Sequence, residues 1–329
     1  MTTFSTRLGG AKSGSAVQKF RRVVSENTVI FVFIAMLIIA GFVSNNFYDY
    51  SNILNILSQV SYLGVISCGM LLVIMIGGID LSVGSMVALS SVVIAVCLEK
   101  YGFGLLTSLA LGIAATCLAG FVSGLLVAKA NIAAFVATLA MMTIVRGLAL
   151  TVSGGRPIMI DNDFIANFAQ SSVFGVPLPI LVMLVFAFVT WFILQKTIVG
   201  RILIATGSNE TSVVYSGIQV WFFKVFAYVF SGFACGISAV VLASRTGVGS
   251  PILGEGLELD AIAAVVIGGA SLQGGRGRVL NTIVGVLILG VISNIMNLAG
   301  IPDYFQRIVK GLIIVAAVLT EGLRTRNRH

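Results

Sequence analysis

The sequence predicts an all-α membrane protein of about ten transmembrane helices, some broken by glycine, with both termini in the cytoplasm. Three observations carry this. Hydrophobic residues make up 58% of the 329 and charged residues only 10%, with mean hydropathy +1.07, whereas a soluble domain carries about a quarter charged residues. The apolar runs come close to the roughly 20 residues that a helix needs to cross the hydrocarbon core. The basic residues gather in alternate loops, which is the pattern that orients helices in a membrane.

The runs lie at 28–43, 55–76, 81–98, 104–127, 132–152, 177–195, 224–244, 257–270, 279–298 and 304–320. The first begins where a polar leader, 1–27, gives out; no small-residue cleavage site follows it, so the leader is not read as a cleavable signal. Within that leader Val17, Phe20, Val23 and Val24 share a helical face with Lys19, Arg21 and Arg22 interleaved, which suits either a short interfacial helix on lipid or a solvated basic tail. The second and third runs are separated by Gly77-Gly78. The third and eighth are short and flanked by glycine, so they are expected to be broken, re-entrant or tilted. The fifth contains Arg146. The sixth ends at Lys196 and the seventh begins at Lys224; between them lies the longest connector on the cytoplasmic side. Glu258 and Asp260 stand at the start of the eighth, where acids suit the helix dipole. A basic tail, 321–329, follows the tenth. The expected organisation is thus a tail at 1–27, a transmembrane domain at 28–320 with a cytoplasmic connector at 196–224, and a tail at 321–329.

An even number of spans puts both termini on one side. Of the 20 Lys and Arg, Lys100, Arg146, Arg156, Arg245, Arg307 and Lys310 fall elsewhere, and the other 14 share the side of the termini. That excess assigns the termini to the cytoplasm. The net charge of +8 therefore reads as orientation and not as nucleic-acid binding. Cys68, Cys97, Cys117 and Cys235 all lie in apolar runs without a CxxC spacing and read as reduced packing residues.

The connector 196–224 mixes apolar and small polar residues. Ser208 or Asn209 is placed to cap a short helix over about 210–216, and Gly217 to end it. A short helix lying on the cytoplasmic face has the form of a docking element; the alternative is a structured connector and nothing more.

Two glycine-rich stretches resemble each other: IGGIDLSVG at 76–84 and IGGASLQGG at 267–275. Adjacent glycines cost about 1 kcal/mol each in a helix, so Gly77, Gly78, Gly268 and Gly269 read either as helix breaks along a translocation path or as tight turns between spans. Polar residues inside the runs are the other pointers. Asn55 and Gln59 share a face, as do Asn294 and Asn297; Asp80 and Ser82 follow the first glycine pair; Thr138 lies two turns before Arg146 on about the same face. Neutral amides and hydroxyls suit passage of an uncharged, hydroxyl-rich solute. Each also has a structural reading: Asp80 as the cap of the helix beginning at Leu81, the Asn pairs as interhelical hydrogen bonds, and Arg146 as a headgroup contact or the partner of an acid.

Chemistry is scarce. The single histidine is His329, which excludes a histidine-based acid–base site or metal centre, and no catalytic set or metal site is assigned. No GxxxxGK[ST] loop is present, so no nucleotide pocket is expected on this chain. Buried acid–base pairs of the kind ion-driven carriers use are also scarce, which disfavours a secondary carrier, and a membrane enzyme lacks its acidic dyad.

The stretches GGIDLSVGSMVALS (77–90), GSNETSVVYSGIQVWFFK (207–224), LELDAIAAVVIGGASLQGGRGR (257–278) and DYFQRIVKGLIIVAAVL (303–319) together resemble the permease subunit of ribose-type binding-protein-dependent ABC sugar importers, over about residues 28–320. The resemblance implies a monosaccharide importer of the inner (plasma) membrane, for a pentose or hexose. It implies two permease chains, expected as a homodimer, a cytoplasmic ABC ATPase that binds ATP and Mg, and a periplasmic or extracellular sugar-binding protein. By the same resemblance Gly207, Asn209, Glu210, Tyr215 and Gly217 would contact the ATPase, with Thr211-Ser212 standing where many relatives carry small alanines. Permeases for nucleosides or branched-chain amino acids share the architecture and remain the alternative.

Overall fold

The computed structural model describes residues 28–43 and 46–326. The leader with its proposed interfacial helix lies outside the described residues. The chain forms helices α1 (Thr28–Val43), α2 (Tyr50–Met75), α3 (Val83–Glu99), α4 (Leu105–Ala128), α5 (Ala134–Ser153), α6 (Asp163–Phe168), α7 (Leu178–Lys196), α8 (Ile198–Tyr215), α9 (Val220–Thr246), α10 (Leu257–Ile267), α11 (Val279–Leu298) and α12 (Asp303–Arg326). Each apolar run falls on one of these helices. By length and composition α2, α4, α5, α7, α9 and α11 are able to cross a membrane, while α1 and α3 are shorter apolar helices.

Helix α2 is the axis of the bundle. Leu63 to Ile76 is buried without interruption, and α7, α9, α10 and α11 pack around it. An all-round apolar sequence such as GVISCGMLLVIM has no polar face to offer solvent, so its place is inside. Helices α4, α5 and α7 lie at the periphery. They bury one stripe and leave Leu118, Phe135, Ile144, Val185 and Phe188 exposed on the other, as lipid-facing helices do.

The tightest helix pair is α4 with α9. The buried stripe of α4 is Ser108, Gly112, Thr116, Ala119, Gly120, Ser123 and Gly124, small residues at helical spacing. Added Cβ atoms would sit 2.8 Å from the Val225 Cα at Gly124 and 3.0 Å from the Ile113 Cα at Gly236. In lipid, where no hydrophobic force pulls helices together, such backbone contact is what holds a pair.

The bundle has two ends. At one, called here the glycine end, α2 finishes and α3 begins. At the opposite end β1 (Ile158–Met159) pairs antiparallel with β4 (Val248–Gly249), β2 (Ser172–Val173) forms a hairpin with β3 (Val176–Pro177), and Asn162 caps α6 by accepting from the Phe164 and Ile165 amides at 3.1 and 3.3 Å. Of these, β1, α6 and β2 lie between the fifth and sixth apolar runs, where no apolar periodicity marks them.

Three further boundaries differ from expectation. The connector 196–224 is largely helical, because Thr197 caps α8 through the Gly200 amide at 3.2 Å and its apolar residues bury Leu203 and Val213. Helix α9 begins at Val220, ahead of Lys224. Helix α10 stops at Ile267 after 11 residues, roughly 16 Å against a hydrocarbon core of about 30 Å.

Candidate functional site

The glycine pairs end helices; they do not interrupt them. At the end of α2 the Gly77 amide donates to the Ile74 carbonyl at 2.9 Å and the Gly78 amide to the Val73 carbonyl at 3.0 Å, with Gly77 at φ +74. At the end of α10 the Gly269 amide donates to Val266 at 2.8 Å and the Ala270 amide to Val265 at 3.2 Å, with Gly269 at φ +82. Both are the same left-handed glycine cap, which uses glycine because it alone adopts positive φ without steric penalty. The structural match pairs Gly77 with Gly269, one residue off the sequence match, which set Gly77 against Gly268. Gly78 and Gly268 serve packing instead. A Cβ would approach the Tyr228 hydroxyl at 2.7 Å from Gly78, and the Asn281 carbonyl oxygen at 2.7 Å from Gly268.

The two turns that follow these caps meet under helix α8. The Gly275 amide donates to the Met75 carbonyl at 2.9 Å, joining the turn after α10 to the end of α2. Gly207 lies against the same carbonyl, and a Cβ on Gly274 would come within 2.8 Å of the Gly77 nitrogen and 2.9 Å of the Gly207 Cα. Three segments far apart in sequence therefore touch backbone to backbone, with no side chain between them.

Immediately after this contact α8 kinks. Asn209 is extended, at φ −162 and ψ 92, and its Oδ1 accepts from the Ser212 amide at 3.0 Å. Asn209 thus caps the second half of α8, and Gly217, at φ +80, follows its end. This is the capped short helix that the residues predicted. Glu210 pairs with Lys224 of α9 at 2.7 Å, and Lys129 of the α4–α5 turn lies 4.0 Å from the Trp221 ring centre. Asn209 to Ser212 and Val214 to Gly217 are all exposed, Tyr215 at 87%. The second half of α8 is therefore fastened from beneath and open above.

Asp80, in the turn between α2 and α3, is fully buried. Its Oδ1 accepts from the Ser82 amide at 3.0 Å and the Ser82 hydroxyl at 2.6 Å, and its Oδ2 from the Ser231 hydroxyl of α9 at 2.9 Å. Burial pushes the carboxyl above the ordinary carboxylate range, against the pull of these bonds. Thr138 of α5 donates to the Ile79 carbonyl at 3.2 Å and fastens the same turn from another side. Asp80, Ser82 and Thr138 face protein here.

The amide pairs divide. Asn294 and Asn52 exchange hydrogen bonds of 2.9 and 3.3 Å between α11 and α2, and Asn297 accepts from Gln306 of α12 at 2.7 Å, so both serve helix contacts. Asn55 and Gln59 bond to each other at 3.3 Å on an open face of α2. Arg146 donates to the carbonyls of Pro251 at 2.6 Å and Leu253 at 3.2 Å, pinning the segment before α10. Sequence reasoning missed those carbonyls, because main-chain acceptors leave no mark in a sequence. No metal-binding group of His, Cys, Asp and Glu occurs among the described residues.

Comparison with known proteins fits this arrangement. The family described as "Branched-chain amino acid transport system / permease component" matches residues 52–318, and the chain belongs to it. It is 40% identical over 305 residues to the ribose import permease protein RbsC of Haemophilus influenzae, covering 92% of this chain and 94% of that protein. It is 41% identical over 288 residues to RbsC of Bacillus subtilis, covering 87% and 89%. It is 35% identical over 333 residues to the L-arabinose transport system permease protein AraH of Escherichia coli K12, covering 100% and 99%. No solved structure matches. The chain is a multi-pass inner-membrane protein of the permease class.

Proposed function

We propose that this chain is the membrane-spanning permease subunit of an ATP-driven importer for a monosaccharide, a pentose or hexose of the ribose kind. The observation that carries the reading is the seat of α8. One half of that helix is exposed and capped at Asn209, and the residue pair just before it, Gly207 and Ser208, touches the turns after both α2 and α10. Such an element transmits force from a bound motor to two transmembrane helices at once. The relatives named for ribose and arabinose import supply the substrate class.

In this reading the glycine end faces the cytoplasm. The chain makes ten passes with both termini inside, α8 lies on the cytoplasmic face, and α3 and α10 are the short passes. The charge asymmetry supports this orientation. The 28–320 domain carries transport, while the tails at 1–27 and 321–329 remain in the cytoplasm. A separate ABC ATPase holds ATP and Mg and docks on Gly207, Asn209, Glu210, Tyr215 and Gly217. A second copy of the chain completes the path within the lipid bilayer, and an external sugar-binding protein delivers the sugar. Closure of the ATPase pair displaces α8, and the glycine turns carry the displacement to α2 and α10, which switches access from one side to the other. The chain makes and breaks no covalent bond.

The test is uptake of labelled D-ribose and L-arabinose into proteoliposomes holding the permease, its ATPase and its receptor. ATP-dependent accumulation of either sugar is expected; accumulation driven by an ion gradient without ATP would defeat the reading. The family's description favours a second reading, a branched-chain amino acid permease, which uptake of leucine in place of both sugars would establish.

A further inference from the structure

At the opposite end from the glycine turns, α2, α9, α10, α11 and α12 line a half-open cavity of about 340 Å³. Its wall carries Gln59, Arg245, Thr246, Asp260, Ser293 and Lys310. Gln59 stands 16 residues before Met75 on α2, roughly 24 Å along the helix from the seat of α8.

The lining is unusual for a membrane bundle. Ionisable side chains in spanning helices are costly, and where they occur they face a water-filled cavity and mark a solute pathway. Here the charges are arranged and partly satisfied. Lys310 Nζ donates to Asp260 Oδ2 at 3.0 Å, joining α12 to α10 with both side chains mostly buried. Arg245 donates to the Ser58 carbonyl at 3.1 Å, which positions its guanidinium at the wall and commits one nitrogen of the fork. Gln59 donates one amide N–H to Asn55 at 3.3 Å, which leaves its second N–H and its oxygen for a ligand. Ser293 adds a hydroxyl, and Thr246, whose hydroxyl donates to the Leu242 carbonyl at 3.0 Å, adds an acceptor oxygen.

We infer that this cavity is a binding site for a single neutral polyol ring, the station at which the permease holds a monosaccharide before it moves inward. The inference rests on the import reading above and deepens it. Vicinal hydroxyls are both donors and acceptors. They are matched by a guanidinium fork that donates in pairs, by carboxylate and amide oxygens that accept, and by hydroxyls that do either. The carboxylate already has its ammonium partner, which disfavours a cation, and Arg245, bonded only to a main-chain carbonyl, leaves the wall one guanidinium free to donate to hydroxyl lone pairs. The volume falls at the lower end of the roughly 300–1,000 Å³ typical of small-molecule sites, which suits one sugar ring. The site is also mechanically placed. Asp260 stands in the first turn of α10, and the far end of that short helix carries the glycine turn that contacts α8.

The experiment uses the complete importer in proteoliposomes, with D-ribose and L-arabinose as probes. Replacing Arg245→Gln is expected to lower sugar moved per ATP hydrolysed about tenfold, the effect of losing a hydrogen bond from a charged group; Gln59→Ala is expected to lower it several-fold. A purely structural role would lower assembly and ATP hydrolysis together and leave that ratio alone. A direct readout covers variants that fail to assemble: in a chain whose four native cysteines are replaced, Ser293→Cys is exposed to a charged thiol reagent from the receptor side. Saturating ribose or arabinose, delivered by the receptor, is expected to slow its modification several-fold. If the wild-type complex transports sugar but the ratio and the modification rate are unchanged, the site inference is overturned and the import reading stands. If the wild-type complex moves neither sugar, both fall.

Discussion

Gly207 rests directly against the main-chain carbonyl of Met75, the last residue of the central helix, and that carbonyl also accepts the Gly275 amide at 2.9 Å. A contact between backbones has no rotamers with which to absorb movement, which suits it to the transmission proposed above from α8 to α2 and to the turn after α10.

The first prediction follows from that contact. Gly207→Ala places a methyl group on the Met75 carbonyl, and backbone must shift to admit it. Overpacking of this kind costs about 1–3 kcal/mol. The Tm of the purified complex is expected to fall, and sugar moved per ATP hydrolysed to fall further than ATPase binding does. A variant with normal coupling would show that force does not travel through this contact.

Asn209 offers a milder perturbation. Asn209→Ala removes the acceptor for the Ser212 amide and is expected to cost about 1 kcal/mol of helix stability. Faster amide exchange across 210–215 is the readout, and Asn209→Asp or Asn209→Ser should restore protection while Asn209→Gln does not.

Glu210 separates a contact within the chain from a contact with the partner. Its pair with Lys224 is half exposed at Glu210, and pairs of that kind contribute about 0–1 kcal/mol. Glu210→Arg is therefore expected to leave the Tm of the permease nearly unchanged and to reduce co-purification of the ATPase. The exchange of both charges, Glu210→Lys with Lys224→Glu, should restore the internal pair without restoring docking. Full recovery of docking in that double variant would assign Glu210 to the internal contact alone.

Two glycines on neighbouring helices should respond in opposite ways. Gly124 of α4 lies on Val225 of α9, with no room for a Cβ, whereas Gly147 of α5 has open space around it. Gly124→Leu is expected to prevent assembly or lower Tm sharply. Gly147→Ala, which gains helix propensity, should be neutral or stabilise by up to about 1 kcal/mol. Thermal melts of the detergent-solubilised chain decide both.

Much of the architecture was legible because the bilayer leaves few solutions. The bounds of α1 agree with the run at 28–43, since nothing but an apolar helix fits that composition. The cap at Asn209 was legible because side-chain capping is local. The glycine pairs were legible as special positions but not in their role: a left-handed cap and a break have the same composition, and only the φ of Gly77 and Gly269 separates them. The helical first half of the connector was obscured by its mixed residues, whose apolar positions are explained by burial against α7 and α9. The cavity and the Lys310–Asp260 pair were not legible. Their partners lie 50 residues apart, and Asp260 had a sufficient local explanation at a helix start.

The unbroken enclosure of α2 from Leu63 to Ile76 has a consequence for how the membrane can act on this protein. No acyl chain reaches that stretch, so the bilayer's thickness and fluidity press first on α4, α5 and α7. In the proposed cycle α2 is thereby insulated from the lipid, so uptake is expected to vary less with bilayer composition than with the proteins on either side.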